Sequence, residues 1–186
     1  AEANVSCLPT LTESDIPLSK PRVDVRIEGG EDTLRFTAQP TNGITYLNVL
    51  LDLSRVPETL MPAVPLWTSL LTSQGAGDMD HRQFAQEVEA TTGGISLSPS
   101  LTGHPDDLSR FQMSASLHSH CLDRNVDQMM SLISLLLQKP NWSDRENVAA
   151  LIEQSASGML ENLARSGHSY AAKTAAAAFG RQHQLL

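Results

Sequence analysis

The chain has 186 residues, 40% of them hydrophobic and 4% aromatic, with a formal net charge of −8. This length is enough for one good-sized domain, or two small ones, with an ordinary hydrophobic core. The negative charge disfavours nucleic acid and anionic membranes as main partners, because both attract clustered Lys and Arg. No apolar run reaches the roughly 18 residues that a membrane helix needs. The two cysteines, Cys7 and Cys121, form no disulfide framework and indicate a reducing compartment.

The first segment, residues 1–21, contains three prolines and no hydrophobic periodicity. We therefore expect an extended lead-in or linker there, followed by a single α+β domain over residues 22–186. The chain does not begin with Met, and it stops at "FGRQHQLL" directly after a helix-rich run. We expect a fragment of a longer protein, with the domain cut short at its C-terminus.

Residues 23–53 predict an antiparallel meander of three strands. "VDVRIE" alternates apolar and polar residues, as a half-buried strand does, and a second alternation follows the turn "GGED". The pair Asn42-Gly43 is suited to positive φ and predicts the next turn. The stretch "ITYLNVLLDL" is apolar on both faces for part of its length, which predicts a central strand.

The middle of the chain alternates between helical and strand patterns. Leu60, Val64, Trp67 and Leu71 fall at helical spacing, with Pro62 and Pro65 near the helix start. Asp80 and Gln83 form a capping box for a second helix, which Gly93-Gly94 ends. "ISLSPSL" predicts a strand and "TGHPDDLS" a polar loop. "RFQMSASLHSHC" is the clearest strand, with apolar residues on one face and polar residues on the other.

Three helices make up the remainder. An apolar stripe from Val126 to Leu137 follows Asp123 and Asn125, either of which could cap the helix. Ser143 and Glu146 form a predicted capping box for the next helix, and Ser166-Gly167 separates it from an Ala-rich last helix. The predicted order is βββ-αα-ββ-ααα. This order predicts an α+β fold in which helices cover one face of an antiparallel sheet.

His118 and His120 are the first candidates for a metal site. Strand alternation places both on the same polar face and Cys121 on the opposite face, so the cysteine cannot easily join them. His104, Asp106 and Asp107 lie nearby only through the predicted polar loop. Two histidines without fixed partners specify little, and we favour a solvated strand face over a zinc site.

The other candidates carry no recognisable chemistry. His81, Glu87 and Glu89 surround a helix at a spacing that matches no zinc pattern. His168 and Tyr170 follow a helix stop, which favours a capping or packing role. The serines lack the Gly-x-Ser-x-Gly context of a nucleophile elbow, and no glycine-rich phosphate loop is present. Taken alone, the residues predict a non-catalytic α+β domain.

An ordered set of segments resembles a known family. The segments are "AQPTNGITYLNVLLDL", the helix pattern "FAQEVEATTGG", the step "CLDRN" into a helix, and "SGHSYAA". Over about residues 8–180 they resemble the pitrilysin-type (inverzincin) metallopeptidases, in particular their presequence-protease and falcilysin-like branch. The resemblance implies a domain of the LuxS and mitochondrial-processing-peptidase type, third of four in a chain whose two halves close around a peptide.

The resemblance also implies where the zinc chemistry lies. Members of the family bind zinc through His-x-x-Glu-His on a helix of their first domain. With Gly75 as the anchor, Leu66, Ser69 and Leu70 occupy the three motif positions here. None of these side chains can ligate zinc or act as a strong base. We therefore predict no catalytic, metal-binding or cofactor-binding residue in this chain, and zinc elsewhere in the full-length enzyme.

The function implied by the resemblance is that of a non-catalytic domain in a zinc metalloendopeptidase that degrades short unfolded peptides, such as cleaved targeting peptides. Its expected partners are the other domains of the same chain and peptide substrates. Its expected location is the mitochondrial matrix or a plastid-type organelle lumen, as a soluble protein. The alternative is a scaffold or partner subunit of a peptidase-like protein that has no active site. A third possibility is an independent binding module with no exposed apolar face.

Overall fold

The computed structural model describes residues 12–16, 19, 22–30, 33–104 and 106–178. The chain divides into two compact units, residues 1–40 and residues 41–186. Most of the predicted lead-in over residues 1–21, together with part of the "GGED" turn, lies outside the described residues.

The first unit contains a two-stranded antiparallel hairpin. Strand β1 spans Arg26–Glu28 and strand β2 spans Leu34–Phe36. The Arg26 guanidinium lies 5.3 Å from the centre of the Phe36 ring and 2.8 Å from Glu28 Oε1. The prediction of a half-buried first strand is wrong, because Ile27 is exposed. Two strands alone have no second layer that could cover their apolar side chains.

The second unit is built on a three-stranded antiparallel sheet. Its strands are β3 (Ile44–Asp52), β5 (Ile95–His104) and β6 (Asp107–Leu122), in the order β3-β6-β5. The prediction that β3 is central is wrong for the described residues, because the longer β6 lies between its two partners. The predicted continuous meander is also wrong, since β3 pairs with β6 rather than with β2. Asn42 and Gly43 adopt the predicted positive φ, at 54° and 82°.

The hairpin between β5 and β6 is tighter than the sequence predicts. The predicted polar loop at 102–109 is wrong, because β5 continues to His104 and β6 begins at Asp107. Thr102 pairs with Gln112 and Gly103 with Phe111, followed by a register shift at Gly103 and His104. Backbone pairing with a long partner strand therefore continues through a segment whose side chains are typical of a loop.

The helices occur in the predicted order. A 3₁₀-helix at Glu58–Ala63 precedes the first α-helix. The α-helices of the described residues are α1 (Val64–Leu71), α2 (His81–Thr91), α3 (Val126–Gln138), α4 (Arg145–Arg165) and α5 (Gly167–Ala176). Two short strands, β4 (Gly75–Ala76) and β7 (Pro140–Asn141), pair with each other between them. A Cβ atom on Gly75 would overlap the Met79 carbonyl oxygen, so the turn after β4 requires glycine there.

The N-terminus of α2 is capped by the predicted residue, whereas that of α4 is capped by a different one. At α2 the capping box is confirmed: Asp80 Oδ1 accepts from the backbone N–H of Gln83 at 2.9 Å, and Gln83 Oε1 accepts from that of Asp80 at 3.0 Å. The backbone N–H of Gln83, and then that of Arg82, hold the pKa of the Asp80 carboxyl below its ordinary value. The box predicted from Ser143 at α4 is wrong, because Asp144 is the cap and accepts from Asn147 N at 3.0 Å.

The predicted caps of α3 are also wrong. The side chain of Asn125, the residue at the N-cap position, makes no capping hydrogen bond. Asp123 Oδ1 instead accepts a hydrogen bond from Thr45 Oγ1 on β3 at 2.8 Å. Asn125 Nδ2 donates to the carbonyl of Thr91, at the end of α2, at 2.9 Å. Both side chains therefore join α3 to neighbouring elements, a use that local spacing does not reveal.

One face of the sheet carries the hydrophobic core. Helix α3 packs on β6 and α1 packs on β5. The α+β prediction, with helices covering an antiparallel sheet on one face, is confirmed. The buried core residues are Leu53, Met61, Val64, Leu71, Ala76, Phe84, Leu97, Met113, Ala115, Leu117, Cys121, Met129, Ile133 and Leu136.

Candidate functional site

The two histidines of β6 lie on the open face of the sheet, as predicted. The register pairs His118 with Asn48 and His120 with Tyr46 on the neighbouring strand β3. Cys121 is buried in the core on the opposite face, where desolvation and then the nearby Asp123 raise the pKa of its thiol. Cys121 therefore takes no part in any chemistry of the two histidines.

His118 belongs to a short hydrogen-bond network. Ser116 Oγ donates to Asn48 Oδ1 at 3.1 Å and lies 2.9 Å from His118 Nε2. A hydroxyl has one proton, and here Asn48 receives it. With that proton directed at Asn48, the arrangement fits the His118 tautomer in which Nε2 donates to Ser116. In the neutral ring this leaves Nδ1 of His118 as a hydrogen-bond acceptor.

His120 is held by its neighbours on two sides. Its ring stacks on Tyr46, with centroids 5.5 Å apart and an interplanar angle of 20°. On another side it lies so close to Gly93 that a Cβ atom there would overlap the ring. Gly93 N also donates to the carbonyl of His120 at 2.8 Å. Because residue 93 has no side chain, the His120 ring has space beside it, and the two stacked rings form an aromatic platform.

These side chains surround an open cleft of about 350 Å³ on the sheet face. It lies where α2 ends and β5 begins, and Tyr46, Asn48, Gly93, Ser96, His118 and His120 are among the residues that line it. Among the described residues, no Asp, Glu, Lys or Arg lines this cleft. The arrangement can bind an uncharged group through hydrogen bonds and ring contact. Its two histidines are the groups that could act as a general base, and none of the described residues that line it is a carboxylate that would orient them.

Sequence reasoning missed Tyr46, Asn48 and Ser96 as neighbours of the histidines. The alternation of β3 and β5 was the available signal, since it places all three on one side of their strands. The missing information was the register, which pairs Asn48 and Ser96 with His118 across separations of 70 and 22 residues.

The remaining sequence candidates are dispersed over the second unit. His104 Nδ1 accepts from the backbone N–H of Asp106 at the tip of the hairpin, at 3.2 Å. His81 Nδ1 lies 3.3 Å from Asp144 Oδ2, so these residues link the start of α2 to the cap of α4. His168 and Tyr170 lie in the first turn of α5, where no side chain caps the helix.

No metal centre is formed by the residues that the structure describes. Within the described ranges, no three His, Cys, Asp or Glu side chains come together in a way that could hold a metal ion. On α1, Ser69 Oγ donates to the carbonyl of Leu66 at 2.9 Å, and Leu70 is buried. Two leucines and one serine do not fit zinc, which takes His, Cys, Asp or Glu ligands. Among the same described residues, no helix is long and apolar enough to cross a membrane.

The comparison with protein families covers the whole chain. The sequence profile of the family described as peptidase M-16C associated matches residues 1–186. The chain belongs to this family. The membership agrees with the resemblance carried by the segments "AQPTNGITYLNVLLDL" and "CLDRN".

The curated relatives of this chain that follow are all mitochondrial presequence proteases. The chain is 38% identical over 169 residues to the mitochondrial presequence protease of Xenopus tropicalis, covering 90% of this chain and 16% of that protein. The corresponding protein of Mus musculus is 35% identical over 171 residues, or 91% of this chain and 16% of the relative. That of Yarrowia lipolytica is 36% identical over 173 residues, with 93% and 18% covered. The chain thus spans less than a fifth of the length of these relatives.

Proposed function

We propose that this chain is the third domain of a presequence-protease-like zinc metalloendopeptidase and that it takes no part in the bond-breaking step. The observation that carries this proposal is the family match over residues 1–186, with 35–38% identity to presequence proteases over about nine-tenths of the chain. The full-length protein would degrade short unfolded peptides, such as cleaved targeting peptides. This domain would form part of the half that encloses the peptide.

The chemistry of α1 supports the non-catalytic role. Leu66, Ser69 and Leu70 stand at the positions that His-x-x-Glu-His occupies in the zinc-binding domain of the resembled family. A metallopeptidase needs three protein ligands for zinc and a base that activates the bound water. None of these three side chains can supply a ligand or a base of that kind. The zinc would be held by another domain of the full-length protein.

An exposed apolar stripe on α4 supports a role inside a larger chain. Helix α4 packs against α1, and its residues Val148 and Leu151 are half-buried. Another side of α4 exposes Ile152, Met159, Leu160 and Leu163, and Leu160 is 69% exposed. A contiguous apolar surface on a single domain marks a contact with another protein surface. We propose that other domains of the same chain cover it, which argues against an independent binding module.

The proposed location is the mitochondrial matrix or a comparable organelle lumen, such as that of a plastid. Support comes from the relatives, whose descriptions name them as mitochondrial. Fractionation of cells that express the tagged full-length protein tests this directly. Recovery with a matrix marker, protected from protease by intact organelle membranes, is the expected result. Recovery in the cytosol would contradict the location without affecting the enzymatic proposal.

The activity is tested on the full-length protein with a set of fluorogenic peptides and a folded protein as control. We expect cleavage of the short unfolded peptides, loss of cleavage with a zinc chelator, and no cleavage of the folded control. The upstream coding sequence is read in parallel, and an intact His-x-x-Glu-His is the expected finding. A full-length protein that lacks this motif and cleaves no peptide would instead be a scaffold or partner subunit.

A further inference from the structure

We propose that the cleft on the open sheet face is a binding site for an uncharged, extended segment of a peptide. The class of ligand rests on the proposed function, while the site itself rests on the geometry around His118 and His120. The cleft would hold a part of the substrate that is not being cleaved. It would thereby add binding energy at a distance from the zinc.

The hydrogen-bonding groups of the cleft match a peptide amide. Asn48 Oδ1 is engaged by Ser116, which leaves the Asn48 amide NH₂ to donate toward a ligand carbonyl. His118 donates through Nε2 to Ser116, so its Nδ1 can accept from a ligand N–H. Asn48 and His118 are direct partners across β3 and β6. A donor and an acceptor on adjacent strands of one sheet face suit the C=O and N–H groups of an extended backbone.

The aromatic platform adds a position for a side chain. Tyr46 is 66% exposed although it stacks on His120, so one face of the pair remains open to a ligand. Gly93 supports the His120 ring from another side. A stacked ring pair presents apolar area at little cost in side-chain entropy, as aromatic residues do in other binding sites. We expect it to contact an aromatic or large apolar side chain of the peptide.

The described residues that line the cleft also indicate which ligand side chains it would prefer. None of the residues that line it is Asp, Glu, Lys or Arg. A charged ligand group would lose hydration there without gaining an opposite charge. A segment with neutral side chains loses less on binding. The site should therefore prefer neutral segments over basic or acidic segments of equal length.

The test measures binding by the full-length protein, with zinc removed so that the peptide is not cleaved. The probe is a fluorescein-labelled peptide of twelve neutral residues that includes one Phe, followed by fluorescence anisotropy. We expect Tyr46→Ala and Asn48→Leu each to raise Kd by about 3- to 10-fold, the range for loss of one aromatic contact or one hydrogen bond. Tyr46→Phe should retain wild-type binding, because it keeps the ring.

Two further variants separate the cleft from the rest of the sheet face. Ser96→Trp keeps every other group of the cleft but fills its space, so we expect it to weaken binding at least as much as Tyr46→Ala. Leu50→Ser is the matched control, since Leu50 is an exposed residue of β3 on the same face that does not line the cleft. Its Kd should equal that of the wild type. Thermal melting confirms that each variant is folded.

The outcomes separate this site from the proposed activity. Wild-type affinity in Tyr46→Ala, Asn48→Leu and Ser96→Trp would overturn the site, even if the zinc-loaded protein cleaves peptides. Weakened binding in the three variants, with Leu50→Ser unchanged, would establish the site even if the protein cleaved no peptide. A tighter Kd for a Lys-rich or Glu-rich peptide than for the neutral probe would overturn the stated preference.

Discussion

The two faces of strand β6 are stabilised by different interactions, although their residues alternate along one segment. Met113, Ala115 and Leu117 are buried in the core on the helix-covered face, and α3 packs on this strand. Ser116 and His118 point to the open face, where hydrogen bonds link them to β3. The helix-covered face owes its stability to area removed from water, whereas the open face depends on a few directed contacts.

This difference teaches where function can reside in such a domain. Amino-acid substitutions on the covered face change packing and therefore stability. Substitutions on the open face leave the core intact and change the side chains that can contact a ligand. A domain without catalytic residues can in this way keep its fold while one sheet face is adapted to a peptide or to another domain.

The largest expected effect comes from opening a cavity on the covered face. Leu117 is fully buried, so Leu117→Ala should lower the free energy of unfolding by about 2–5 kcal/mol. The neighbouring His118→Ala, on the open face, should cost less than about 1.5 kcal/mol, the order of one hydrogen bond. Urea denaturation of both variants checks this, and equal losses would remove the distinction between the faces.

The rate of thiol alkylation distinguishes the covered face of the sheet from the open face without a measurement of stability. In a Cys7→Ser background, Cys121 is buried and its thiol pKa is raised, so alkylation requires local opening. A cysteine introduced as Leu50→Cys in a Cys7→Ser, Cys121→Ala background should react at least about 100-fold faster at neutral pH. The Cys121 rate should begin to rise at a more alkaline pH. Similar rates for the two thiols would contradict the assignment of faces.

Removing the hydroxyl at the centre of the open-face network should have a smaller effect. Ser116→Ala leaves Asn48 Oδ1 without its donor and His118 Nε2 without its acceptor, so we expect a loss of about 1 kcal/mol. Ser98→Ala is the matched control, because Ser98 pairs with Ser116 across the sheet but is exposed. Nitrogen chemical shifts should also show that His118 no longer favours protonation at Nε2. An unchanged tautomer would refute the network.

The smallest expected effect comes from a substitution at Gly93, the residue that contacts the His120 ring of the aromatic platform. Gly93→Ala should displace the His120 ring from Tyr46, because the added methyl group needs the space of the ring. Proton chemical shifts of the Tyr46 ring report this movement. Gly94→Ala is the control: Gly94 has φ of 116° and open space around it, so this exchange strains the backbone without touching His120. A Tyr46 shift in Gly94→Ala, but not in Gly93→Ala, would contradict the described contact.

The sequence predicts those parts of the fold that depend on local spacing. The alternation around Leu117 and the capping box at Asp80 are both visible in short windows, and the structure confirms them. The central position of β6 and the pairing of β3 with it depend on contacts between distant segments. Local pattern carries no such information, and the prediction of a central β3 is wrong for this reason.

The candidate site was only half predictable for the same reason. His118 and His120 stand out by their spacing, and alternation places them on one face. The roles of Tyr46 and Asn48 follow from the register alone, and the tautomer of His118 follows from one hydroxyl proton at Ser116. The failed cap predictions at Asp123 and Ser143 show the converse, since side chains with good local spacing can be used for contacts elsewhere.

The most direct test of the central claim, that this domain does not itself catalyse cleavage, is the zinc content of the purified 186-residue chain, measured together with its turnover of a fluorogenic peptide. The account predicts far less than one zinc per chain and no chelator-sensitive turnover. The double variant His118→Ala/His120→Ala should give the same values. One zinc per chain that disappears in the double variant, or peptide cleavage that a chelator abolishes, would contradict it.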